Sequence, residues 1–193
     1  MARREPVSIL EHYERSLGEI EHGWRDGEEH HGIHVVSFAS QPGPGVRTFA
    51  TLGLSDHVLQ LPRARQVRQE LLTSVNEATA GDQVADLILS LAEGALQRGR
   101  AILRGEVIAL GQPAVPGSRL TCAYMTNPSS FNETLVRFVS DSPPTVFGSV
   151  IAITPGEAAL VRERGWNWFE DELAQHHPDT CDLYRTVEIT PRD

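Results

Sequence analysis

The sequence predicts a single α/β (α+β) domain in which helices flank a mixed, largely antiparallel β-sheet. Three observations carry this prediction: a hairpin-like pair of strands at 33–39 and 46–54, an amphipathic helix at 82–98, and a capped helix beginning after Thr154. The chain has 193 residues, of which 40% are hydrophobic and 22% charged, which suits one domain with its own core. No apolar run approaches the roughly 18 residues of a membrane span, so we expect no membrane partner.

The first 29 residues are predicted to form an N-terminal helix and a charged loop, followed by a domain over 30–193. The apolar positions that recur at three- and four-residue steps are Leu10, Tyr13, Leu17, Ile20 and Trp24. This spacing predicts a helix over 6–24, with Ser8 as its N-cap and Glu11 completing a capping box.

The later elements follow from shorter signals. Further strands are predicted at 69–76, 105–110, 119–124, 134–139, 146–153 and 185–189. Thr154, Pro155 and Glu157 form a second capping box, which predicts a helix closing near Gly165. A last helix is predicted over 166–175.

Charge excludes some classes of partner. The net charge is −9, and residues 5–29 hold eight carboxylates against two arginines. Such a surface repels nucleic acid and steers basic proteins toward it, although a solvated helix face is the alternative interpretation. The chain has no lysine, so Schiff-base chemistry and a phosphate-loop lysine are excluded.

The N-terminus and the cysteines predict a cytoplasmic protein. Arg3 and Arg4 are not followed by the apolar segment of an export signal, because Glu11 and Glu14 interrupt it. The two cysteines are far apart in sequence and are expected to be reduced thiols.

Two His-rich segments, 28–34 and 176–182, are the candidates for a metal site. Adjacent histidines point apart, and no Cys-x-x-Cys or His-Glu-x-x-His motif is present. We therefore predict neither metal nor cofactor, while the sequence leaves open a site that joins the two segments.

Ser55, Asp56 and His57 carry the residue types of a hydrolytic triad. The groups of a triad converge from separated positions, so direct adjacency argues against one, and a turn after a strand is the expectation. No catalytic residue is predicted.

Aromatic and acidic side chains are the candidates for partner binding. Trp166 and Phe169 share a helix face and are expected in the core, whereas Trp24 and Trp168 are predicted to anchor a partner. The carboxylates predicted to speed its association are Glu28, Glu29, Glu170, Asp171 and Glu172.

Four segments together resemble the Suppressor-of-fused-like domain family. Residues 48–55 resemble its Thr-x-Gly-x-Ser turn and 70–72 the strand after it, while 150–157 and 182–185 resemble its last core strand, helix start and closing Asp-x-x-Arg. The resemblance covers roughly residues 30–187 and departs at 105–140. The structural motif residues it assigns are Thr51, Gly53, Ser55, Thr154, Glu157, Asp182 and Arg185. We expect Asp182 and Arg185 to pin the end of the chain, with Glu157 as one partner for Arg185.

The resemblance implies a non-enzymatic protein-binding domain. Small bacterial members look like immunity proteins of polymorphic toxin systems, so a basic toxin domain is the expected partner. Larger animal members bind a transcription factor in hedgehog signalling; at 193 residues we expect this chain to lack their extra C-terminal domain, so that role is not carried over. The alternatives are a general protein-interaction module and a metal- or hydroxyl-dependent hydrolase.

Overall fold

The computed structural model describes residues 7–24, 31–136, 138 and 142–190. Within them the chain forms one eight-stranded sheet, which confirms the predicted mixed and largely antiparallel class. The strands are β1 (His22–Trp24), β2 (His34–Ala39), β3 (Val46–Leu52), β4 (Leu59–Leu61), β5 (Arg65–Asn76), β6 (Val107–Ala109), β7 (Cys122–Thr126) and β8 (Thr145–Ile153). Their order is β1-β2-β3-β5-β8-β7-β6, and β4 pairs with the start of β5.

Five helices of the described residues cover the two faces of this sheet. They are α1 (Ile9–Leu17), α2 (Gly81–Arg98), α3 (Glu133–Val136), α4 (Pro155–Arg164) and α5 (Trp166–His176). Helix α2 packs on one face, through a core that includes Val84, Ile88 and Ala92. The other four helices pack on the opposite face, where Tyr13 and Phe169 are fully buried. None of the described helices has the length and hydropathy needed to cross a bilayer.

The N-terminal region is bound to this sheet. Ser8 and Glu11 form the expected capping box, but α1 ends at Leu17, because Gly18 has a φ of 92°. The predicted helix over 6–24 is therefore wrong in its second half. The three residues His22–Trp24 instead form an edge strand, antiparallel to β2.

Two predicted strands are also wrong. Residues 133–136 are helical, and Leu135 packs its side chain into the core beside α1. The segment 185–189 forms no strand; the Arg185 side chain and the Ile189 N–H instead bond it to Glu157. Local apolar content suggested strands at both places, but neither segment finds a neighbouring strand with which to pair.

The central pair of the sheet, β5 and β8, is parallel. Arg68 aligns with Thr145 and Leu72 with Ser149. The other pairings between β1–β8 in the described residues are antiparallel, including the predicted hairpin of β2 and β3. Since β5 is buried on both faces along most of its length, the polar residues in it must be hydrogen-bonded within the protein.

Candidate functional site

The Thr-x-Gly-x-Ser turn is organised by a buried carboxylate, Glu70. The Thr51 hydroxyl donates to Glu70 at 2.5 Å, and the backbone N–H groups of Gly53 and Ser55 donate at 3.1 and 2.9 Å. Thr51 Oγ1 also accepts from the Leu71 N–H at 2.9 Å. The three motif residues are thus joined to β5 through one side chain, which the sequence motif did not reveal.

Glu70 has no accessible surface, and burial is the dominant influence on its ionisation. Burial raises the pKa of Glu70 to about 7, while hydrogen bonds from Thr51, Ser55 and Gly53 favour the carboxylate and limit the rise. Tyr13 lies nearby, and its hydroxyl donates to the Thr51 carbonyl at 3.0 Å. Burial, with a contribution from the charge of Glu70, raises the pKa of Tyr13 well above its ordinary value.

The second motif cluster joins the start of α4 to the end of the chain. Thr154 and Glu157 form the predicted capping box, with bonds of 3.1 and 2.9 Å. Arg185 donates to both oxygens of Glu157 at 2.8 and 2.6 Å, and to the Ala152 carbonyl at 3.3 Å. The expected partnership of Arg185 with Glu157 is therefore present, in a site where both side chains are buried.

Asp182 acts within its own turn. Its carboxylate accepts from the Tyr184 N–H at 2.8 Å, and its carbonyl accepts from the Arg185 N–H at 3.2 Å. It orients the segment that carries Arg185 and forms no ion pair with Arg185 among the described residues.

The two tryptophans predicted to anchor a partner lie in different parts of the fold. Trp24 stands on the edge strand β1, half-buried against Phe49, and its Nε1–H donates to Asp82 at 2.7 Å. Trp168 is half-buried on α5, with the guanidinium of Arg164 5.9 Å from its ring centre. Each ring therefore keeps some surface that a partner can contact.

The candidate acidic residues differ in their freedom to act on a partner. Glu28 and Glu29 lie outside the described residues. Glu172 is buried beside His176, whereas Asp171 is exposed. Glu170 is held inside the molecule by Arg104, Tyr124 and Thr126.

The environment of Glu170 keeps it ionised. Burial alone would raise the pKa of Glu170, but donation from Arg104, Thr126 and Tyr124 outweighs it, so the pKa lies below its ordinary value. Arg104 also packs its guanidinium 4.4 Å from the centre of the Trp166 ring. The cluster fastens α5 to the loop before β6.

The residues with catalytic potential do not converge. Ser55 and Asp56 lie in a 3-10 turn that follows β3, where the Ser55 N–H is engaged by Glu70. The His57 ring nitrogen Nε2 contacts the His31 carbonyl at 3.1 Å. Over residues 7–24, 31–136, 138 and 142–190 no group of three His, Cys, Asp or Glu side chains is arranged to hold a metal ion.

A groove of about 250 Å³ opens where β7 ends before β8 does. The ladder between the two strands stops at Thr126 and Ser149, so β8 extends four residues beyond it, from Thr145 to Gly148. The groove is mainly apolar, and Val67, Met125 and Val146 line it. Val146 is 41% exposed.

The backbone of β8 presents hydrogen-bonding groups to this groove. The Arg68 N–H donates to the Pro144 carbonyl, so even-numbered residues of β8 turn their backbone groups toward β5. Backbone groups alternate along a strand, and the N–H and C=O of Phe147 therefore face the groove. No strand among the described residues pairs with them there.

The far wall of the groove is the loop 101–104, which the side chain of Gln69 bonds to β5. The Gln69 Nε2 donates to the Ile102 carbonyl at 2.9 Å, and its Oε1 accepts from the Ile102 N–H at 3.0 Å. This pair of bonds fastens the loop 101–104 to β5 as a neighbouring strand would. The groove is consequently formed before any partner arrives, which lowers the entropic cost of binding.

The signals for these sites were partly visible in the sequence. Gln69 and Glu70 are adjacent polar residues in the part of β5 that is buried, and such residues must find partners. No local pattern marks the groove, because it depends on two strands of unequal length that pair over a distance.

Comparison with known proteins gives one family. A family model described as Suppressor of fused protein (SUFU) matches residues 28–186. A putative SUFU homologue from Neisseria gonorrhoeae superposes with a TM-score of 0.75 at 15% identity, covering 96% of each chain. A chain of the Sufu–Fu complex crystal structure gives a TM-score of 0.71 at 11% identity, covering 96% of this chain and 93% of that one.

The Drosophila Suppressor of Fused structure gives a TM-score of 0.56 at 14% identity, covering 81% of this chain and 42% of that one. No curated protein sequence matches the chain significantly. Because the family model matches most of the chain, the protein belongs to the Suppressor of fused family.

Proposed function

We propose that this chain is a non-enzymatic protein-binding domain that neutralises a toxin domain, acting as an immunity protein. The observation that carries the binding function is the groove beside β8, where the backbone of Phe147 is unpaired above an apolar floor. An extended segment of a partner that enters there would continue the line of β7 and gain backbone hydrogen bonds to β8.

Charge and family support the identity of the partner. The net charge of −9 favours a basic protein, and electrostatic steering raises association rates by roughly 10- to 1,000-fold at low salt. The Neisseria homologue matches over 96% of both chains, so this chain has the size of a small bacterial member. Asp171 is the exposed carboxylate of α5 best placed to contribute to steering.

The binding function is tested by capture of a partner from the products of neighbouring genes, followed by affinity measurement. Val146→Asp places a charge in the groove without altering the core, and we expect it to weaken binding at least about tenfold. Val58→Asp is the matched control, because Val58 is 40% exposed and lies outside the groove.

Equal losses of affinity in Val146→Asp and Val58→Asp would show that the interface does not lie at the groove. The immunity function is tested separately, by growth of cells that express the captured partner with and without this chain. Rescue of growth by the wild-type chain, weakened by Val146→Asp and kept by Val58→Asp, is the expected result. A partner that binds at the groove but is not toxic would instead favour a general interaction module.

A further inference from the structure

A second cavity lies between helix α2 and the segment that follows β6. Its volume is about 290 Å³, and it shares no lining residue with the groove beside β8. Leu87, Leu110 and Pro113 contribute apolar walls, and Asp86 is the only ionisable residue among those that line it.

One wall is a helical face. Gln83, Asp86, Leu87 and Ser90 stand at positions i, i+3, i+4 and i+7 of α2, so they share one side of the helix. The Ser90 hydroxyl donates to the Asp86 carbonyl at 2.8 Å. Asp86 is exposed, and its carboxylate accepts no hydrogen bond and forms no ion pair within the described part of the chain.

The other wall is built into the fold. The Ala114 N–H donates to the Leu120 carbonyl at 2.8 Å, and the Ser118 hydroxyl donates to the Leu183 carbonyl at 2.5 Å. Val115, between the two prolines of this segment, is 1% exposed. Because these contacts and the prolines restrict the backbone, the cavity keeps its shape without a ligand.

We infer that this cavity binds a basic side chain, best an arginine, presented by the protein partner. The apolar walls suit the aliphatic stem, and the Asp86 carboxylate, with the amide oxygens of Gln83 and Gln112, suits the guanidinium. The inference rests on the protein-binding function proposed above and names one chemical feature of the partner.

The inference is tested first without the partner, by NMR titration with N-acetyl-arginine N-methylamide. We expect backbone amide shifts confined to residues 83–90 and 110–116. N-acetyl-citrulline N-methylamide has nearly the same shape without the charge. Its affinity should be lower than that of the arginine probe by a factor of at least about five. Added salt should weaken the binding of the arginine probe more than that of the citrulline probe.

Two variants and a control locate the binding. Asp86→Asn should weaken the arginine probe about fivefold, and Ser90→Phe, which fills the cavity from an exposed position, should abolish its binding. Glu77→Gln removes the same charge from another exposed residue outside the cavity, and should leave binding unchanged.

Equal binding of the two probes, equal effects of Asp86→Asn and Glu77→Gln, or amide shifts elsewhere would each overturn the inference. The proposed function fails independently of these results, if no protein partner is captured at all. If Val146→Asp weakens the binding of a captured partner but Asp86→Asn does not, the proposed binding function stands. The basic side-chain site is then rejected for that partner.

Discussion

Glu70 and Glu157 are the two fully buried carboxylates among the residues that the structure describes, and they are stabilised in different ways. Glu157 faces the guanidinium of Arg185, with which it shares two hydrogen bonds. Glu70 receives hydrogen bonds from neutral donors, among them the Thr51 hydroxyl and the backbone N–H groups of Gly53 and Ser55. A cation compensates a buried charge directly, whereas neutral donors leave ionisation more costly, so the two sites should respond differently to mutation and to pH.

The largest expected effect is at the paired site. Arg185→Leu leaves the Glu157 carboxylate buried without a cation, and should lower the free energy of unfolding by about 3–5 kcal/mol, measured by urea denaturation. The double variant Glu157→Gln/Arg185→Leu removes both charges while Gln can keep the capping bond, so it should recover at least half of the loss. A double variant as unstable as the single one would assign the loss to packing.

The unpaired site should show a pH dependence. The pKa of Glu70 is about 7 in the folded protein and near 4.5 in the unfolded chain, so the folded state binds an extra proton between these values. The stability that the protonated Glu70 contributes is therefore lost as pH rises from about 4.5 to 7.

Glu70→Gln stays neutral, and its free energy of unfolding relative to wild type should increase on the order of 3 kcal/mol from pH 4.5 to 8. Paired thermal or urea denaturation at several pH values measures this difference. A difference that stays constant with pH would show that Glu70 keeps one ionisation state throughout.

Thr51→Val should test the neutral donors directly. Valine keeps the shape but removes the hydroxyl that donates to Glu70 and accepts from the Leu71 N–H. Leaving buried polar groups unsatisfied should lower the free energy of unfolding by about 1–3 kcal/mol. If Glu70→Gln/Thr51→Val loses as much as the two single changes added together, the two side chains are not coupled.

The smallest expected effect is at the helix cap beside the paired site. Thr154→Ala removes the hydroxyl that accepts from the Glu157 N–H, while Arg185 still holds the Glu157 side chain. We expect a loss of about 0.5–2 kcal/mol in urea denaturation. Thr154→Ser, which keeps the hydroxyl, should retain most of the stability. If Thr154→Ser loses as much stability as Thr154→Ala, the capping bond is not the cause of the loss.

The sequence predicted most elements where the signal is local. The capping boxes at Ser8 and Thr154, helix α2 and the hairpin of β2 and β3 all depend on residues a few positions apart. The prediction errors lie where tertiary contacts determine the secondary structure. Trp24 continues the spacing of α1, yet Gly18 ends the helix and β2 offers a strand to pair with.

The candidate site was only partly predictable for the same reason. The motif residues Thr51, Gly53 and Ser55 were identified, but their common partner Glu70 stands 15 to 19 residues away in sequence. The groove requires β7 and β8 to end at different heights and Gln69 to bond the loop at Ile102, 33 residues later. Periodicity cannot reveal such contacts.

The parallel pair at the centre of the sheet has a consequence for synthesis on the ribosome. Leu72 pairs with Ser149, and β5 ends at Asn76, so β5 is complete 73 residues before Ser149, the last residue of that ladder, is added. At about 5–20 residues per second, the edge of β5 stays unpaired for roughly 4–15 s while the intervening chain is translated. During this interval β5 offers an open edge to other nascent chains, and a chaperone that covers it would raise the yield of folded protein.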